Sequence, residues 1–193
     1  MIPDWRLDGV LKSLILKAIL ALLVVAGCAA RPLPLNPGVD FHVAGKFGIR
    51  DGDAGYSARF AWQQSLDSYD IEVWGPLGQG RTQLRGDSLS MTVLQGGELL
   101  TRGSPEEVMR ASLGWSVPVA VLPAWIRGVP HRQLSHDAAE QDAQGRYTGF
   151  VQAGWQVALS AYERSEDGAT PGRIVAESGT RRVTVVVRDY AGR

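Results

Sequence analysis

The sequence predicts a mainly β, α+β protein in which one antiparallel sheet curls over short helices. Three observations carry that prediction. Glycine makes up 23 of 193 residues, well above the roughly 7 % of an average chain, and without collagen periodicity such an excess marks many tight turns. Apolar residues alternate with polar or small ones along most of the chain, which is the period of half-buried strands. Helix signals occur in only two places, both between blocks of strands.

The first element precedes the fold. Arg6, Lys12 and Lys17 lead into the uncharged run 18–26, which is shorter than the roughly 20 apolar residues of a membrane-spanning helix. A basic start, a short apolar core and small residues at its end describe an export signal over residues 1–27. Val25-Ala26-Gly27-Cys28 resembles the lipobox of bacterial lipoproteins. That resemblance implies cleavage before Cys28, an S-diacylglycerol on its thiol and an N-acyl chain on the new amine. More than one acyl chain makes a stable anchor. Cys28 is also the single cysteine, so an intrachain disulfide and a cysteine-based zinc site are both excluded. The stretch 28–40, with Pro32, Pro34 and Pro37, reads as an extended tether, because each proline fixes φ and removes an N–H.

Residues 41–193 read as a single domain. Phe41, Val43, Phe47 and Ile49 form the first strand pattern, closed by the turn cluster 51–55. Tyr56, Ala58, Phe60 and Trp62 alternate next, then Tyr69, Ile71 and Val73. The loop Gly75-Pro76-Leu77-Gly78-Gln79-Gly80 separates these from a strand over 81–85, a turn at Gly86-Asp87, and Leu89, Met91 and Val93. Gln95-Gly96-Gly97 closes a further hairpin before Leu99-Leu100. Ser104-Pro105-Glu106-Glu107 is a capping box with proline at the first helical position, and Gly114 stands where a helix-ending glycine belongs. A shorter helix is expected from Pro123 to Gly128. Strands return at 147–152, 155–162, 173–177 and 183–189. The expected order is five or six strands, two helices, then four or five strands.

Composition and motifs exclude much. Twenty basic residues balance twenty acidic ones, whereas nucleic-acid binding needs a basic surplus. His131 and His136 lack metal-ligand spacing and read as solvated loop residues. Ser135, His136 and Asp137 are sequence neighbours, so they cannot face one another as a catalytic triad. The Gly75–Gly80 loop lacks dinucleotide spacing, and no helix pattern follows it to receive a phosphate. Glu106 and Glu107 are explained by capping, and Glu166 and Asp167 by a polar turn. No enzyme chemistry, metal or cofactor is expected beyond the covalent lipid on Cys28.

What stands out is apolar. Trp62, Trp74, Trp115, Trp125 and Trp155 follow the signal segment, and for any one of them a packed core is the simpler reading. Leu77, between Pro76 and Gly78 at a hairpin tip, has little core to join.

At these residues the chain resembles the LolB family of outer-membrane lipoprotein receptors. The resemblance runs through 60–64, 75–78, Leu113-Gly114-Trp115-Ser116-Val117-Pro118-Val119, 125–130, 142–146, Gly154-Trp155 and Tyr162, in that order. It spans about residues 41 to 190. It implies an incomplete antiparallel β-barrel wrapped over helices, enclosing an apolar cavity. Such a receptor takes acylated lipoproteins from a soluble periplasmic carrier and inserts them into the outer membrane of a Gram-negative bacterium. It is lipid-anchored, faces the periplasm, and is expected to be a monomer with outer-membrane lipids and cargo as partners. By position, Leu77, Pro76 and Gly78 match a membrane-inserting loop, and Phe60, Trp62, Trp125, Ile126 and Trp155 match cavity-facing residues. The chain departs from the family pattern in one place, since 29–40 is too short and proline-rich for the amphipathic helix that relatives carry there. A different lipid-binding lipoprotein of the same architecture, or a structural lipoprotein without cargo, are the competing expectations.

Overall fold

The alternating segments pair into one antiparallel sheet of eleven strands. The structure is a computed structural model describing residues 38–165 and 168–192. The signal segment, Cys28, the tether through Pro37 and the acidic pair 166–167 lie outside the described residues. Six strands come first: β1 (Phe41–Asp51), β2 (Ala54–Ser65), β3 (Ser68–Trp74), β4 (Thr82–Gly86), β5 (Met91–Gln95) and β6 (Glu98–Gly103). Then come α1 (Pro105–Leu113), a single 3-10 turn (Val119–Val121) and α2 (Leu122–Ile126). The last five strands are β7 (His136–Gln141), β8 (Tyr147–Gln152), β9 (Trp155–Ser165), β10 (Gly168–Ser178) and β11 (Arg181–Gly192).

Both blocks are meanders, and β1 joins them by pairing with β11, giving the order β6-β5-β4-β3-β2-β1-β11-β10-β9-β8-β7. The edges β6 and β7 do not pair with each other, so the barrel stays open. Directly opposed residues share a face in an antiparallel pair. The rows Tyr190–Val43–Trp62–Ile71–Leu84–Val93 and Val185–Phe47–Ala58 therefore look inward together. Burial follows the same alternation, with Phe41, Val43, Phe60, Trp62, Phe150, Val157 and Ile174 among the core. Curvature has a specific cause at Gly45. The β1–β11 register slips between Ala44 and Gly45, and a Cβ at Gly45 would lie 2.1 Å from the Val186 carbonyl oxygen. Only glycine permits that bulge, and a bulge increases local bend and twist.

The helices fill the concave side. α1 begins with the capping box, since Ser104 accepts from the Glu107 backbone N–H while Glu107 accepts from the Ser104 N–H. It buries only Pro105 and Val108, whereas α2 buries Trp125 and Ile126. Packing starts ahead of β1: Val39 is buried and the Asp40 N–H donates to the Gln64 carbonyl at 2.8 Å.

Three local expectations change. Leu89 belongs to a turn, and β5 starts at Met91, because the Asp87 carboxylate captures the N–H groups of both Leu89 and Ser90. The second helix starts one residue early, at Leu122, and ends at Ile126. His136 lies in β7, where every residue is exposed and the pairing with β8 is irregular.

Candidate functional site

Two places carry the expected functional residues. The first is the apolar cluster between the concave face and the helices. Phe60 and Trp62 reach it from β2, Trp125 and Ile126 from α2, and Trp155 from β9, each buried to 5 % exposure or less. They belong to one cluster but lie in two neighbourhoods. Trp62 meets Phe41 edge-on at 5.2 Å, while Trp125 meets Phe150 at 6.3 Å and Trp155 meets Trp115 at 5.8 Å. Val43 and Phe41, on the neighbouring strand β1, belong to the same cluster.

Each neighbourhood hides a glutamine that the sequence reading did not single out. Gln64, the next inward position after Trp62, accepts from the Trp62 indole N–H at 3.1 Å and donates to the Leu66 carbonyl at 2.8 Å. Gln152 is 1 % exposed. Its Oε1 accepts from the Trp125 indole at 3.0 Å and from the His131 N–H at 2.8 Å. Its Nε2 donates to the carbonyls of His131 and Leu134. One side chain on β8 thus holds both α2 and the segment leading into β7. The available signal was a polar residue at an inward position of an alternating strand, which is costly to bury unless it is fully bonded.

The second place is the loop between β3 and β4. Gly75 donates to the Gln79 carbonyl and Gly78 to the Gly75 carbonyl, both at 2.8 Å, forming a turn around Pro76 and Leu77. Gly78 takes φ +86, a left-handed conformation that glycine adopts without strain. The Leu77 N–H donates to Gln79 Oε1 at 3.0 Å. At the base, the Arg81 guanidinium lies 4.8 Å from the centre of the Trp74 ring and is ion-paired with Glu72. Leu77 ends 94 % exposed at the tip of this braced loop. A braced loop that keeps a leucine in water prepays the ordering entropy of any apolar contact it makes.

The titration of the remaining groups follows their hydrogen bonds. Asp87 and Glu107 are held below the usual carboxylate range, by the backbone N–H of Leu89 and by the Ser104 side chain respectively. Asp142 is lowered mainly by its hydrogen bond from Arg146. Burial pushes Tyr69 and Tyr162 up to about 12. None of these groups lies in the Leu77 loop. Among the described residues no cluster of His, Cys, Asp and Glu is placed to hold a metal ion, and no helix is long and apolar enough to cross a membrane.

Known proteins resemble this chain along its length. The family described as outer membrane lipoprotein LolB matches residues 39–190. The LolB of Cellvibrio japonicus is 35 % identical, covering 91 % of this chain and 96 % of the relative. That of Chromohalobacter salexigens is 34 % identical over 77 % of this chain and 69 % of its own. Among solved structures, a LolA superfamily protein from Nitrosomonas europaea superposes with a TM-score of 0.50 at 9 % identity, covering 82 % of this chain and 88 % of its own. That likeness bears on the fold.

Proposed function

The chain belongs to the LolB family of outer-membrane lipoproteins, receptors in lipoprotein localisation, and from that premise we propose how its residues carry out the transfer. It takes the acyl chains of a lipoprotein from a soluble periplasmic carrier and holds them between sheet and helices. It then releases them into the outer membrane. The protein is anchored in that membrane by the lipid on Cys28 and faces the periplasm. Neither nucleotide nor metal is needed, because the transfer is a partition between apolar environments.

The physical demand is severe. Burial is worth about 0.8 kcal/mol per CH2, so an acyl chain of ordinary length gives up on the order of 10 kcal/mol if it meets water. The receiving space must therefore be apolar and must open directly to the donor. Phe60, Trp62, Trp125, Ile126 and Trp155 supply such a lining once the helices part from the sheet. Parting is cheap at α1, which buries two side chains, and is limited at α2 by the Gln152 bonds. Delivery needs a part of the protein that prefers the bilayer to water. The observation that carries this reading is Leu77, held 94 % exposed on a braced loop.

The close packing of the five cluster residues is also what a structural lipoprotein without cargo would show, and one titration separates the two readings. Saturable fatty-acid binding that quenches tryptophan fluorescence, weakened by Trp125→Leu with Trp155→Leu, supports the receptor. A wild-type protein with no saturable binding, in which the same pair costs only stability, supports the structural reading.

A further inference from the structure

On the face of the sheet opposite the core, three arginines from distant parts of the chain surround one depression of about 440 Å3. Arg50 comes from β1, Arg173 from β10 and Arg182 from β11. Gly48, Ser57 and Thr184 supply small residues to the same depression. Gly48 lies opposite both Ser57 and Thr184 in the register, so these three share one row.

The register sets like charges side by side. Arg50 is directly opposite Arg182, and Lys46, two pairs further along the same face, is directly opposite Arg59. Like charges facing across strands destabilise a sheet, and here two such pairs lie together. A carboxylate neighbours one of these cations: Glu177 reaches Arg182 at 3.1 Å. Asp51, on the next residue of β1, is engaged by Arg181 and by the Thr180 hydroxyl. A surplus of exposed guanidinium over carboxylate around a small-residue floor is what a multivalent anion complements, because each planar fork presents two N–H groups to phosphate oxygens.

The depression sits at the same end of the sheet as Leu77. Arg59 pairs with Trp74, the last residue of β3. Ser57 and Gly55 therefore lie roughly 7 and 13 Å beyond that point along β2, at the end of the sheet where the chain leaves β3 for the Leu77 loop. Lys46, Arg59 and Trp74 are successive partners in one cross-strand row, and the Trp74 ring carries Arg81.

We propose that the Arg50–Arg173–Arg182 depression binds the phosphodiester of an anionic phospholipid head group, orienting the protein on the bilayer so that Leu77 enters it. This rests on the reading of Leu77 as the inserting residue, and the two are tested separately. Full-length protein in a neutral detergent is titrated by calorimetry with dihexanoyl phosphatidylglycerol, dihexanoyl phosphatidylcholine and inorganic phosphate. The wild type is expected to prefer phosphatidylglycerol to both other probes. The triple variant Arg50→Gln/Arg173→Gln/Arg182→Gln should lose on the order of 100-fold in affinity at low ionic strength, about fivefold per arginine. Neutralising the exposed Arg102, Arg110 and Arg132 serves as the control and should change it little. Equal loss in both triples means diffuse attraction and overturns the proposal, as does equal affinity for the two lipids. Inorganic phosphate binding as tightly as phosphatidylglycerol makes this a free-anion site and overturns it too. Leu77→Glu tells the two readings apart. If it abolishes delivery to vesicles while the arginine triple leaves lipid binding intact, the loop reading stands and the depression fails. If lipid binding falls with the arginines but delivery is indifferent to Leu77→Glu, the depression stands and the loop reading fails.

Discussion

Leucines stand in solvent at both ends of this sheet, and the two ends differ in nearly everything else. At one end Leu77 is 94 % exposed; at the other, Leu66 on the β2–β3 hairpin and Leu89 on the β4–β5 turn are 80 % and 81 % exposed. Side chains brace all three. Gln79 receives the Leu77 N–H, Asp40 receives the Leu66 N–H at 2.7 Å, and Asp87 receives the Leu89 N–H at 2.7 Å. The bracing group is neutral in the first case and anionic in the other two. At the base of the Leu77 loop Arg81 lies over Trp74 and is paired with Glu72, and Arg59 is opposite Trp74. Beside Leu66 and Leu89 the depression between the hairpins holds Asp70 and Asp87, and Arg85 there is already paired with Asp70 at 3.0 Å. Exposure therefore does not distinguish a functional leucine from a turn residue. The two ends differ instead in electrostatic setting, with carboxylates bracing Leu66 and Leu89 and a neutral amide bracing Leu77.

The largest expected effect breaks the comparison if it is wrong. Leu77→Glu removes about 1.5–3 kcal/mol of apolar transfer and adds the cost of a charge in hydrocarbon. Delivery of a captured lipoprotein to vesicles should fall at least about 10- to 100-fold, with capture from the carrier and thermal stability unchanged. Leu66→Glu and Leu89→Glu should deliver at the wild-type rate. Equal losses at all three positions would mean that the ends are equivalent. A collapse of Leu77→Glu in a thermal melt would make Leu77 a folding residue.

A second substitution asks whether the ends are anchored to the same core. Gln152→Leu leaves the Trp125 indole, the His131 N–H and two carbonyls without their partner. Stranding buried polar groups costs about 1–3 kcal/mol each, so chemical denaturation should show a loss of several kcal/mol. The corresponding Gln64→Leu strands the Trp62 indole and the Leu66 carbonyl, and should lose about half as much. If Gln152→Leu is no worse than Gln64→Leu, its additional bonds contribute nothing and α2 is not held through β8.

A third, smaller effect tests bracing against mere exposure. Gln79→Ala keeps Leu77 in place in the sequence but removes the acceptor of its N–H and the side chain packed against Gly75. The loss of one exposed hydrogen bond, about 1 kcal/mol at most, should slow delivery a few-fold while lowering the melting temperature by no more than about 2–4 °C. Delivery at the full wild-type rate would show that an unbraced leucine is sufficient.

Much of this arrangement was legible in the sequence, and the illegible parts share a cause. Strands β1 to β5 and β8 to β11 declared themselves because inward residues such as Phe60 and Trp62 alternate with polar neighbours, and α1 because its capping box is local. β7 was illegible because His136–Gln141 buries nothing and so shows no alternation. Leu77 stood out because Pro76 and Gly78 frame it, but its distinction from Leu66 and Leu89 did not. That distinction depends on Asp40 reaching Leu66 from 26 residues away and on Trp74 facing Arg81 across a loop. The arginine depression was least accessible of all. Arg50, Arg173 and Arg182 meet only because β1 pairs with β11, a union of the two ends of the chain that no local pattern specifies. Gln152 is similar, since all its partners lie 18 to 27 residues away.

The smallest effect uses a tyrosine as a probe of the acidic end. Tyr69 is buried beneath the turn that carries Leu89, and its hydroxyl has no hydrogen-bond partner. Burial raises it most, and Asp87 and Glu106 raise it further, to about 12. A folded-state value above the unfolded value of 10 means that the neutral form is the one the fold prefers. The associated stability is complete below pH 10 and is lost as pH rises from 10 towards 12. Tyr69→Phe should therefore change little at neutral pH, since no partner is stranded, and should flatten the alkaline decline of the melting temperature. Asp87→Asn should lower the pKa of Tyr69, so that more of it is ionised at a given alkaline pH and the alkaline decline is smaller, because one of the two repelling carboxylates is gone. Tyr162 gives the contrast. It too is raised to about 12, but Arg146 opposes the rise and its hydroxyl donates to the Tyr147 carbonyl at 2.6 Å. Tyr162→Phe should cost about 1 kcal/mol at neutral pH, and its alkaline decline should be indifferent to Asp87→Asn. If Asp87→Asn leaves the ultraviolet titration of Tyr69 unmoved, the acidic character assigned to the Leu66–Leu89 end does not reach beneath its surface, and the contrast between the two ends rests on the cations near Leu77 alone.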